Sequence, residues 1–120
     1  MKIKHILKWL PALIWSVVII ILAIDPSPYE TSPFPGYDKV LHLGAFGLLA
    51  ILAVFPEKKI ATWLSMIVLP MIVGISIESI QFFLPARKAE FLDLIADFTG
   101  CFLAFVAYLI FRRIRARREH

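Results

Sequence analysis

A single cysteine in 120 residues rules out an intrachain disulfide, and Cys101 lies inside an apolar run, where it reads as a small packing residue. Charge is scarce as well. Only 18% of residues are charged while 60% are hydrophobic, and the mean hydropathy is +0.81. That balance excludes both a disordered chain and an ordinary soluble domain. There is no dense metal-binding motif of the HExxH kind, no serine or cysteine placed as a nucleophile beside His42, and no basic face along which a nucleic acid would lie. The net charge of +4 comes from Lys and Arg gathered at the ends of apolar runs, which reads as membrane topology. The expectation is a membrane protein with no metal, no cofactor and no nucleic-acid partner.

What the chain does have is four apolar runs, giving expected spans at about 6–24, 38–55, 60–84 and 91–111 in one domain covering 1–120. The first follows Lys2, Lys4 and Lys8. A cleaved secretory signal has the same layout, but Leu22-Ala23-Ile24 offers no small-x-small site, so a retained helix is the better reading. Residues 25–37 hold four of the eight prolines and forbid a regular helix. The second run is short enough to suit the core helix of a soluble protein, and its neighbours argue for a span. Pro56-Glu57-Lys58-Lys59 reads as a turn, and Pro70 predicts a kink in the third span.

Ten of the 13 Lys and Arg fall on the side that holds the N-terminus, the 56–59 turn and the C-terminus. The positive-inside rule therefore predicts an all-α, four-helix transmembrane bundle with both termini cytoplasmic. The arginines between Arg112 and Arg118 read as an anchor on anionic lipid. Asp25, Glu30, Asp38, Glu78, Glu90, Asp93 and Asp97 go to the opposite side.

Three polar groups then converge on the outer ends of the spans. Asp38 and His42 lie four apart on the second, with Lys39 between them; Glu78 and Gln81 lie three apart on the third; Asp93 and Asp97 lie four apart on the fourth, with Arg87 in the linking loop. Antiparallel helices joined by short loops bring such ends together. Helical stripes point the same way: Asp93, Asp97, Gly100, Ala104 and Ala107 on the fourth span, Pro70, Gly74, Glu78 and Gln81 on the third, and His42, Ala45 and Leu49 on the second. Small residues on such lines let backbones approach, so these faces should point inward.

The ordered set Asp38-Lys39-x-x-His42, Glu78-x-x-Gln81 followed by Phe83-x-Pro85-x-Arg87, and Asp93-x-x-x-Asp97-x-x-Gly100 resembles the VanZ-like family of small bacterial membrane proteins, over roughly residues 38–107. Members of that family often carry asparagine where this chain has Asp97, and glycine where it has Ala86. The resemblance implies a link to resistance against teicoplanin, a glycopeptide with a lipid tail, or a role in ordinary envelope lipid physiology.

Three uses fit these residues. In the first, Asp38, Lys39, His42, Glu78, Gln81, Arg87, Asp93 and Asp97 line an extracytoplasmic cleft that binds an amphiphile, an anionic lipid headgroup or a lipid-tailed glycopeptide, with Arg87 and Lys39 on the head. In the second, His42 and Glu78 form a catalytic acid-base pair acting on a lipid headgroup or phosphate ester. In the third, the cluster is an ion-pair network that only holds the helices together. The sequence leaves the oligomeric state open.

Overall fold

The computed structural model describes residues 3–24, 37–54, 61–84 and 91–118, and all of its regular elements are helices. The short α1 (Ile3–Lys8) gives way at Trp9 to α2 (Leu10–Ile24). The expected unbroken first span is thus two helices, and Pro11 supplies the reason: it has no N–H for the carbonyl of Leu7 and its ring crowds that carbonyl. The chain recovers through bonds from Trp9 N to the Ile6 carbonyl and from Leu13 N to the Trp9 carbonyl. After α3 (Tyr37–Val54), a π-helical turn, Leu64–Val68, runs into α4 (Leu69–Phe82).

That π-helical turn is the form the Pro70 kink takes. Leu69 N–H reaches back five residues to the Leu64 carbonyl, widening the helix just before the position where Pro70 cannot donate. Finally α5 (Phe91–Arg118) continues well past the expected end of the fourth span, through the arginine run. Apolarity stops there, but helix propensity does not, and the arginines of its last turn complement the negative end of the helix dipole.

Side-chain contacts fix the helix directions. Lys39 meets Asp93, His42 meets Asp97 and the Phe46 carbonyl meets Cys101 Sγ, so α3 and α5 run parallel. Arg112 Nη1 lies 3.5 Å from Thr62 Oγ1, while Gly74 lies against Asp97, so the third helical segment runs antiparallel to α5. Gln81 at the end of α4 meets Ala23 at the end of α2. The order is therefore alternating, with α2 and α4 in one direction and α3 and α5 in the other.

The interior and exterior are inverted relative to a soluble domain. Large apolar side chains such as Leu13, Ile21, Ile72, Ile75 and Leu103 are exposed, whereas Ser65, Glu78, Gln81, Asp93 and Asp97 are buried. Water would penalise that surface, and a hydrocarbon solvent would not. Ser16, Ser76, Ser79 and Thr99 each return the hydroxyl to the carbonyl four residues back, as a chain without water at its outer face requires. Two described helical segments, Leu64–Phe82 and Phe91–Arg118, are long and apolar enough to cross a membrane; Leu10–Ala23 and Lys39–Val54 are shorter apolar helices.

Candidate functional site

The α3–α5 crossing builds the site. A Cβ on Gly100 would stand 2.1 Å from the Leu43 carbonyl oxygen, and one on Gly47 would stand 3.4 Å from the Gly100 carbonyl oxygen. Only glycine permits this approach at Gly100, and the approach brings the next turn of each helix into register. One turn toward the ends, His42 Nδ1 and Asp97 Oδ1 share a hydrogen bond of 2.8 Å. One turn further, Lys39 Nζ donates to Asp93 Oδ1. His42 Nε2 lies 3.6 Å from Asp93 Oδ2, so the imidazole stands between two carboxylates.

These groups form one chain, Lys39, Asp93, His42, Asp97, in a place mostly closed to solvent. Asp97 is 1% exposed and Asp93 6%. Asp97 Oδ2 occupies the space a side chain at position 74 would take, since a Cβ on Gly74 would lie 3.0 Å from that oxygen. Phe46 is fully buried and its ring lies parallel to that of His42, with centroids 6.4 Å apart, forming the apolar floor. Glu78 is buried on α4, and the imidazole hydrogen bond goes to Asp97.

Gln81 has a different task. Its Nε2 donates at 2.9 Å to the carbonyl of Ala23, one of the last-turn carbonyls of α2 that has no partner within its own helix. Gln81 thereby ties α2 to α4. Gln81→Leu is expected to lower stability by about 1 kcal/mol, the worth of one such bond, in thermal unfolding of the detergent-solubilised protein.

The structure thus gathers Lys39, His42, Glu78, Gln81, Asp93 and Asp97 at one end of the helices. The Asp38 side chain, Arg87 and Lys88 lie outside the described residues, as do the 25–36 segment and the 56–59 turn. Of the α5 stripe, Asp93, Asp97, Gly100 and Ala104 are buried but Ala107 is exposed. On α4 the whole line from Pro70 to Gln81 is buried. On α3 the buried line runs through Phe46, Leu49, Ala50 and Ala53, with His42 and Ala45 half-buried at its edge. Among the described residues no three His, Cys, Asp or Glu side chains are disposed to hold a metal ion.

Phe46 and Trp15 belong to this region and carry no signal of it in their spacing. Trp15 donates its indole N–H to the Ala45 carbonyl at 2.9 Å and so locks α2 to α3. Beside that bond lies a groove of about 370 Å³ between α2 and α3, backed by Ile77 of α4 and reaching His42 at one end.

The VanZ/LLP1 family model matches residues 3–112. The chain belongs to the VanZ/LLP1 family. An uncharacterized protein of Schizosaccharomyces pombe is 29% identical over 105 residues, which is 85% of this chain and 65% of the relative. This VanZ/LLP1 chain therefore spans less than two thirds of that relative's length, and the likeness is not confined to bacteria. No solved structure matches it. Family membership, the two long apolar helices and the apolar exterior together mark it as a membrane protein.

Proposed function

We propose that this VanZ/LLP1 protein crosses a cell membrane four times with both ends cytoplasmic, and that its polar cluster binds the head of an amphiphile from the outer leaflet. The observation that carries the reading is the Lys39, Asp93, His42, Asp97 chain inside a bundle whose exterior is hydrocarbon. Each ionisable group within a membrane span costs about 2.5–3.5 kcal/mol on insertion scales, so a connected set of them calls for a use. Arg87 and Lys88, one short segment away in sequence, supply further cations for a phosphate or carboxylate head. Envelope lipids and lipid-tailed glycopeptides such as teicoplanin are the ligand classes to try.

A second reading has one observation in its favour. His42 hydrogen-bonded to Asp97 is a base held in orientation by a carboxylate, as acid-base catalysis on a lipid headgroup would require. The same panel of ligands tests both readings. Thermal stabilisation of the purified protein by phosphatidylglycerol or teicoplanin should fall by at least about tenfold in effective affinity, some 1.4 kcal/mol, in His42→Ala and Arg87→Ala. Equal stabilisation of wild type and variants by every ligand defeats the binding reading. Mass spectrometry of the recovered lipids reports any turnover.

A further inference from the structure

We propose that the groove between α2 and α3 seats the aliphatic chain of that same amphiphile, an inference that rests on the binding reading above and adds where the tail goes. The lining is carbon almost throughout: Trp15, Ile19 and Leu22 from one wall, Val40 and Leu41 from the other, Ile77 behind. Trp15 offers no free donor there, because its N–H is spent on the Ala45 carbonyl. Among the described residues of the lining His42 is the one ionisable side chain, and it is also a member of the polar cluster. A ligand that touches both regions is polar at one end and hydrocarbon along the rest.

The groove opens sideways. Val40 and Leu22 on its rims are each 54% exposed, and a Cβ on Gly44 would meet nothing within 4 Å. In a protein with an apolar exterior, that mouth faces the acyl region of a bilayer, so a tail enters without crossing water. A single aliphatic chain fits the 370 Å³ available.

The test uses the full chain in amphipol and three probes with one head: glycerophosphoglycerol, which has no tail, and short-chain and long-chain lysophosphatidylglycerol. Wild type should bind the lysolipids about fourfold more tightly per added methylene until the groove is full. Gly44→Leu should flatten that dependence and leave glycerophosphoglycerol binding unchanged; Gly44→Ala should give a partial effect. Position 44 is open space, so both variants are expected to fold, and their melting temperatures check this. Chain-length dependence that persists in Gly44→Leu overturns the tail assignment while leaving head binding intact. No binding of the tail-less head, with lysolipid binding indifferent to His42→Ala, overturns the head reading instead. A wild-type dimer in solution that Gly44→Leu dissociates assigns the groove to a second copy and also overturns the proposal.

Discussion

Gly100→Ala is expected to destabilise the protein by about 3 kcal/mol, the upper end of the usual range for overpacking, although it adds a single methyl group. The new Cβ would stand 2.1 Å from the Leu43 carbonyl oxygen and 2.9 Å from its carbon, and both are backbone atoms of a helix that cannot swing aside. The helices α3 and α5 must part, and the interface between them is the most extensive among the described elements. Parting them also lengthens the 2.8 Å His42–Asp97 bond one turn away, so ligand binding should fall together with stability. Two controls separate this from a general intolerance of substitution. Gly47→Ala places its Cβ 3.4 Å from Gly100, a tight contact that small shifts relieve. Gly44→Ala meets nothing and should gain up to about 1 kcal/mol from helix propensity. Thermal unfolding in one detergent gives the ranking, and a Gly100→Ala protein as stable as Gly44→Ala would show that Gly100 does not press against the Leu43 carbonyl.

The sequence made the helices and their inner faces readable because both are periodic properties. Hydropathy marked the four apolar segments, and the small and polar residues at spacings of three and four picked out the buried lines of α4 and most of α5. Which polar group meets which is not periodic. Spacing brought His42 near Glu78, Asp93 and Asp97 alike, and the choice of Asp97 for the hydrogen bond depends on how far α3 slides along α5. Gly100 and Gly47 set that slide, and glycine looks the same in sequence whether it touches a neighbouring backbone or, like Gly44, open space. Backbone hydrogen-bond pattern was equally hidden. Pro70 announced a disturbance, but a kink and a π-helical turn relieve the missing N–H in different ways. Phe46 was one apolar residue among many until its ring was found stacked on His42.

His42→Ala should cost about 3–5 kcal/mol, because it strands the buried Asp97 carboxylate, and Asp97→Ala should cost less, because the imidazole it leaves is only half-buried. Asp97 is 1% exposed, and without it His42 keeps one carboxylate contact among the described residues, at 3.6 Å to Asp93. Asp97→Asn should be much milder, since its amide can still meet one ring nitrogen. The informative variant is the double one. Replacing both members of a buried pair removes the stranded group, so His42→Ala with Asp97→Ala should recover about 2–3 kcal/mol relative to the sum of the single changes. Zero coupling would mean that the hydrogen bond contributes nothing in the membrane. Recovery of stability then divides the readings of the site. A network kept only for packing predicts a double variant that is stable and still active in cells. A ligand site predicts one that folds yet no longer responds to phosphatidylglycerol or teicoplanin, because the imidazole that joins the polar cluster to the groove has gone while the helices around it remain in place.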